Sequence, residues 1–282
     1  MSESVNIITK KELEPDDIFD ELDEAGEDIC VVSDEWPYLR FGTYEKSLRG
    51  VEITKEEKGY EIRVCSFSTF DDYRLFRVTI DIVKKMTRGK VEYDCEVVKG
   101  FDSYELFSDN WIDKQVESGV DAVRILSNHE GKPVTMYGMF APFCFGRRML
   151  EHFGLDDGHK PTETEIYKIL KYFREMQWRL ENLTSTKSHL MVQGENGEND
   201  KDVSLIAIKD GKVSDFDYIS FAQMMGICDL DNDETALIKF EKFIDIVPKD
   251  KVEFLDECQM LIKTPFTADE VRKMIADAKK LM

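Results

Sequence analysis

Between residues 49 and 98 the hydrophobic period changes twice, and that change limits the fold more than any other feature of the chain. In YEIRVCSF (60–67), Tyr60, Ile62 and Val64 alternate with Glu61, Arg63 and Cys65, the period-two pattern of a half-buried antiparallel strand. The preceding RGVEIT is joined to it through the polar KEEKG, so the two read as a strand pair. The period then lengthens. STFDDYRLFRVTIDIVKKMTRG (68–89) places Leu75, Phe76, Thr79, Ile80, Val83 and Met86 at i, i+3, i+4 spacing behind Ser68 or Thr69 as N-cap, an amphipathic helix ending near Gly89. KVEYDCEVV (90–98) returns to a strand. Strand, strand, helix, strand describes a sheet with helices on one face, and so an α+β protein.

The flanking segments extend this plan. EPDDIFDELDEAG (14–26) predicts a short helix opened by Pro15 and closed by Gly26, EDICVV (27–32) a strand, and SDNWIDKQVESGVDAVRIL (108–126) a helix despite Gly119. SNHEGKP (127–133) has the polar, Gly and Pro punctuation of a boundary. After it come a buried strand in PVTMYGMFAPF (133–143), a short helix in GRRMLEHFG (146–154), and a long helix in PTETEIYKILKYFREMQWRLENL (161–183) opened by a Thr162/Glu165 capping box. HLMVQ (189–193), VSLIAIK (203–209) and KVSDFDYISF (212–221) read as strands, the last two turning on Asp210-Gly211. A helix over 231–248, a strand over 252–263 and a closing helix capped by Thr267 and Glu270 complete the pattern. The expected architecture is two adjoining halves, residues 1–128 and 129–282, each an antiparallel or mixed sheet with helices packed on one face. One sheet fused across both halves is the rival arrangement.

Charge and cysteine usage narrow the function. Against 58 Asp and Glu stand 38 Lys and Arg, a formal net charge of -20 that repels a phosphate backbone unless a basic stripe overrides it. Lys10-Lys11, Lys84-Lys85, Arg147-Arg148 and Lys279-Lys280 are separate pairs with acids nearby, so no nucleic-acid partner is expected. Cys30, Cys65, Cys95, Cys144, Cys228 and Cys258 are scattered without a C-x-x-C, as suits reduced thiols. No apolar run approaches the ~20 residues of a membrane span and MSESVNIITKKELEPDD has no leader pattern, so a soluble cytoplasmic protein is expected.

Three stretches taken together, SLRGVEITKEEKGYEIRVCSFSTFDDYRLFRVTIDIVKKM, VTMYGMFAPFCFGRRMLEHFG and IVPKDKVEFLDECQMLIKTPFTADEVRKMI, resemble the pattern of a bacterial family of unknown function. In that family a strand pair beginning around Arg-Gly precedes a helix opened by Ser or Thr and acids, and a late Phe-Leu-Asp strand precedes a closing helix. The resemblance runs from about residue 48 onward. It implies a bacterial intracellular protein and carries over no catalytic residues.

MYGMFAPFCFGRRML (136–150) holds the first candidate site. A strand delivering its end to a helix whose first turn carries Arg147 and Arg148 could receive a phosphate or carboxylate on amide N–H groups, helix dipole and guanidinium forks, with His152 or His159 as acid or base. The plainer account makes Met136, Phe140, Phe143 and Phe145 a core strand or turn and pairs the arginines with Glu151, Asp156 or Asp157. Asp229, Asp231 and Asp233 start an EF-hand pattern, but Glu234 stands where glycine is needed and Phe240 where a bidentate Glu is needed, so Asp231 and Glu234 read instead as the capping of a helix. His152, Asp156, Asp157 and His159, with Cys144 upstream, are zinc-ligating types in no recognised spacing. Ser188 and His189 are adjacent on a strand and point to opposite faces. Nucleotide and nucleophile-elbow motifs are missing from the sequence, and no cofactor or metal is implied.

The expectation is therefore a non-catalytic cytoplasmic binding protein whose acidic surface meets a basic protein partner, of which an immunity-type protein is one concrete form. The alternative is a binder of a small anionic ligand, or an enzyme, with its site near Arg147, Arg148, His152 and His159.

Overall fold

The computed structural model describes residues 2–130, 133–183, 203–220 and 224–281. The larger sheet contains β1 (Glu3–Ile8), β2 (Ile29–Glu35), β3 (Tyr38–Thr43), β4 (Val51–Glu56), β5 (Gly59–Val64), β6 (Lys90–Tyr93) and β7 (Glu96–Val97). Every pairing is antiparallel, in the order β2-β3-β4-β5-β1-β6-β7. The register sets Leu39 opposite Ile53, Ile53 opposite Ile62 and Ile62 opposite Val5, a transverse apolar row with no exposed surface. One residue along, Thr54, Glu61, Asn6 and Glu92 form a polar row on the other face, as the period of two requires. Two strands escape the sequence pattern. β1 offers only Val5 and Ile7 to the buried row, and β3 is interrupted by Arg40 and Gly42.

Helices cover the apolar face. α1 (Pro15–Glu24) buries Ile18 and Leu22 and packs on α2 (Phe70–Thr87) and β2. The Thr69/Asp72 capping box opens α2, whose buried stripe includes Leu75, Phe76, Thr79, Ile80 and Val83, as the spacing predicts. α3 (Ser103–Leu106) leads into α4 (Asp109–Glu130), which runs past the predicted end at 126 and into the stretch read as a boundary. A Cβ on Gly119 would stand 2.7 Å from the Phe67 backbone N, so the glycine that weakens helix propensity is what admits the close approach of α4.

The segment 133–143, predicted as one strand, is the hairpin of β8 (Val134–Tyr137) and β9 (Pro142–Phe145). Its turn bonds Gly138 N–H to Ala141 O at 3.0 Å. The reversal brings both apolar runs onto the same core, which an extended strand of eleven residues would not. α5 (Arg147–Phe153) and α6 (Glu163–Leu180) follow, the latter opened by the predicted Thr162/Glu165 box.

Beyond residue 202 the chain forms β10 (Val203–Lys209), β11 (Lys212–Val213), β12 (Tyr218–Ser220), β13 (Met224–Asp229), β14 (Glu234–Lys239), α7 (Phe240–Ile246), β15 (Val252–Phe254), β16 (Gln259–Ile262) and α8 (Ala268–Leu281). A mixed sheet runs β11-β10-β13-β14, with β10 and β13 parallel, and a second runs β12-β16-β15. Two predictions are corrected here. The helix expected over 231–248 is a strand followed by a helix: Ala236 and Ile238 alternate into the core while Asp229 pairs with Glu234 and Asp233 turns the chain at φ 54°. The strand expected over 252–263 is the hairpin of β15 and β16, with Leu255–Cys258 at its turn. HLMVQ, the Ser188-His189 pair and the loop 194–202 lie outside the described residues.

The fold is α+β. Its buried apolar side chains gather into two clusters, one holding residues from Val5 to Leu180 together with Tyr218 and Leu255, the other residues from Ile206 to Ala278. The clusters do not part at residues 127–133, since Val123 on one side and Phe143 on the other share the first. Among the described residues the seven-stranded and four-stranded sheets are separate.

Candidate functional site

The end of β9 and the start of α5 are gripped by the β15–β16 turn, a segment more than a hundred positions away. Asp256 Oδ2 accepts the Cys144 N–H at 2.8 Å, and its Oδ1 accepts the Cys258 N–H at 2.7 Å. Glu257 Oε1 accepts the Met149 N–H at 3.0 Å, and so a carboxylate from the same chain already sits on the first turn of α5. A Cβ on Gly146 would lie 2.9 Å from that oxygen, which explains a glycine at the strand-to-helix joint. Gln259 Nε2 donates to Pro142 O, Tyr172 Oη to Leu255 O at 2.6 Å, and Arg179 holds Glu253 through two N–H groups at 2.9 and 3.1 Å.

The four residues predicted as a site fall around this grip without sharing a contact. Arg147 is 90% exposed and pairs with Glu151 at 2.9 Å. Arg148 lies 4.6 Å above the Phe254 ring and donates to the backbone O of Asp256 at 3.3 Å. His152 packs against the rings of Phe153 and Tyr172. His159 lies between Asp157 and Glu165, whose hydrogen bonds raise the pKa of its imidazole, Asp157 first. Among the described residues no hydrogen bond, ion pair or ring contact joins any two of the four. Because the Arg147 pair is exposed and screened, Arg147→Ala is expected to leave the thermal midpoint within about 2 °C of the parent in a calorimetric scan.

Burial dominates the chemistry of the turn. It pushes the Asp256 carboxyl up to about 7, against the downward pull of the N–H groups of Cys144, Cys258 and Gln259. The Glu257 carboxyl is raised for the same reason. The Cys258 thiol is raised by its hydrogen bond to Cys144 and then by burial. The ligand atoms of Cys144, Asp256 and Cys258 all lie within 4.8 Å of one another, the one such cluster among the described residues. The cluster joins two stretches that sequence spacing keeps apart, so no motif could have found it; the signal available was Cys144 beside the Arg pair and Asp-x-Cys in a segment misread as continuous strand. The acids of the rejected EF-hand pattern serve the chain itself, Asp229 accepting from Arg272 Nε at 2.8 Å and Asp231 from the Asp210 and Gly211 N–H groups at 2.8 Å each.

A second feature lies on the helical side. The starts of α2 and α6 flank α4, leaving a groove of ≈ 690 Å³ lined by Phe70, Asp113, Val116, Glu117, Pro161, Glu163, Thr164, Ile166 and Tyr167. It continues past Phe70 and Asp113 into a pocket of ≈ 250 Å³ bearing Arg74, Arg77 and Asp109. Phe70 and Tyr167 are 40% and 59% exposed. Glu117 pairs with Lys160 and Asp109 with Arg77, whereas Asp113 and Glu163 enter no ion pair among the described residues.

Fold and surface together define an α+β protein with an acid-lined groove over its helical layer and a clamped strand-to-helix joint. A family model described as a domain of unknown function (DUF4299) matches residues 2–178, and the chain belongs to that family. The match ends within α6, so the groove lies inside it and the β15–β16 turn outside. No curated protein and no solved structure matches the chain.

Proposed function

We propose that this protein is a non-catalytic interaction module of the bacterial cytoplasm that holds a basic segment of a partner protein in the groove between α2, α4 and α6. The observation that carries the reading is the pairing, in one groove, of the exposed rings of Phe70 and Tyr167 with the unneutralised carboxylates of Asp113 and Glu163. Aromatic surface supplies desolvation energy at an interface, and carboxylates beside it select lysine or arginine. The net charge of -20 attracts such a partner from a distance. An acidic protein that neutralises a basic one, as immunity-type proteins do, is the concrete form of this reading. The cytoplasmic assignment rests on the scattered cysteines, and no helix among the described residues is long and apolar enough to cross a membrane. The alternative of an anion site at Arg147 and Arg148 draws no support from their contacts, since both guanidinium groups are occupied within the chain.

Fluorescence anisotropy with labelled amphipathic peptides tests the groove. Peptides bearing lysine or arginine beside leucine are expected to bind, and isosteric peptides with glutamate are not. Raising the salt should weaken binding, and Asp113→Lys with Glu163→Lys should weaken it at least about tenfold. Equal affinity for both peptide charges, or binding untouched by the reversal, would sink the proposal.

A further inference from the structure

We propose that Cys144, Asp256 and Cys258 form a site for one divalent cation of the zinc class, with three protein ligands and the fourth position left to water. The geometry comes first. Two sulfurs and a carboxylate oxygen lie within 4.8 Å of one another, and a tetrahedron with Zn–S near ~2.3 Å and Zn–O near ~2.0 Å closes on them by shifts of about 1 Å. Thiolates exclude the hard cations, which take six to eight oxygens, and two sulfurs are too few for an iron–sulfur cluster.

The surroundings are those of a held ligand set. The N–H groups of Cys144 and Cys258 fix both Asp256 oxygens at 2.8 and 2.7 Å, and each oxygen keeps a lone pair for a metal. Thr135 Oγ1 lies 3.5 Å from the Cys144 sulfur and can orient it. Independently of the cluster, the same hairpin carries two buried oxygens without a hydrogen-bond partner among the described residues, Glu257 Oε2 and Gln259 Oε1. Water carried in by a bound cation would give such acceptors a partner. Charge balances as well. On binding, both thiol protons pass to solvent as the metal–sulfur bonds form; two thiolates and one carboxylate then leave one negative charge against the dication. Arg148, bonded to the backbone of Asp256, answers it.

The site would tie β9, in the first apolar cluster, to a hairpin whose strands place Val252 and Met260 in the second. It is independent of the groove and of its partner.

The test uses the full chain, reduced, stripped with a chelator and dialysed, then titrated with zinc or cobalt. Expected are about one metal per chain by elemental analysis, the visible bands and sulfur charge-transfer absorption of tetrahedral cobalt thiolate, and protection of Cys258 from iodoacetamide by zinc while exposed Cys95 stays reactive. Cys258→Ser should abolish the cobalt–thiolate spectrum or reduce it at least about tenfold in affinity, with Cys95→Ser unchanged. Because Cys144 is fully buried and its replacement risks misfolding, zinc protection in the unsubstituted protein carries the decision without it. The proposal is overturned if folded, reduced protein takes up no zinc, if Cys258→Ser retains the spectrum, or if mass spectrometry finds Cys144 and Cys258 as a disulfide that does not bind metal once reduced.

Discussion

Asp72→Ala is expected to lower the unfolding free energy by about 5 kcal/mol, a loss readable in urea denaturation as a lower midpoint with little change in slope. Asp72 has no exposed surface, and its carboxylate organises a loop as well as a helix. Oδ2 accepts from the N–H groups of Leu48 at 3.2 Å, Arg49 at 3.3 Å and Thr69 at 2.9 Å, and from Thr69 Oγ1 at 3.0 Å, while Oδ1 accepts from the Gly50 N–H at 2.9 Å. Alanine would leave the four backbone N–H groups without this acceptor, each at a desolvation cost of about 1–3 kcal/mol that relaxation only partly relieves, while the Thr69 hydroxyl keeps Lys46 O at 3.1 Å. Asparagine should recover little, because its NH₂ would confront N–H donors; a midpoint for Asp72→Asn close to the parent would show that the loop does not depend on the carboxylate. The loss should also be felt at a distance. Leu48 O accepts from Met139 in the β8–β9 turn and Ser47 O from Trp178 Nε1, so tryptophan fluorescence is expected to report loosening of that turn.

Phe67 yields the second large effect. Its ring lies 5.9, 5.8 and 5.7 Å from those of Phe143, Phe145 and Phe173, with no exposed surface, and Phe67→Ala is expected to cost about 4 kcal/mol through the cavity and the lost ring pairs. Its backbone sits at φ 60°, in the left-handed region. Alanine keeps that strain, of about 1 kcal/mol or more, and glycine does not. Phe67→Gly should therefore be at least as stable as Phe67→Ala, the reverse of the order at an ordinary position. An alanine variant with the higher urea midpoint would refute the backbone argument.

Local signals found what local physics determines. The N-cap at Ser68 or Thr69, the Thr162/Glu165 capping box and the stripe on α2 were legible because hydrogen bonds and contacts three and four residues apart are written in consecutive residues. The helix expected over 231–248 misled for the same reason: Asp231 and Glu234 suit the opening of a helix, but Ala236 and Ile238 are claimed by pairing with β13, a tertiary demand no local window contains. The β8–β9 and β15–β16 hairpins were hidden because their turns use Gly138–Ala141 and Leu255–Cys258 instead of an Asn-Gly or Asp-Gly pair. The candidate site was partly visible. Arg147 and Arg148 drew attention to the right joint, but the residues that occupy it, Asp256 and Glu257, come from a turn that only the folded chain places there.

The position of β1 has a consequence for biosynthesis. Val5 pairs with Ile62 and Ile7 with Val91, so the earliest-made strand of the large sheet lies between two strands synthesised much later. Until β6 has left the ribosome this sheet can exist only in parts, and Val5 and Ile7 wait without their cover. Such long-range pairing slows folding and prolongs exposure of apolar strand to other chains, which makes the stretch from β1 to β6 a natural client for holding chaperones while the chain is being made.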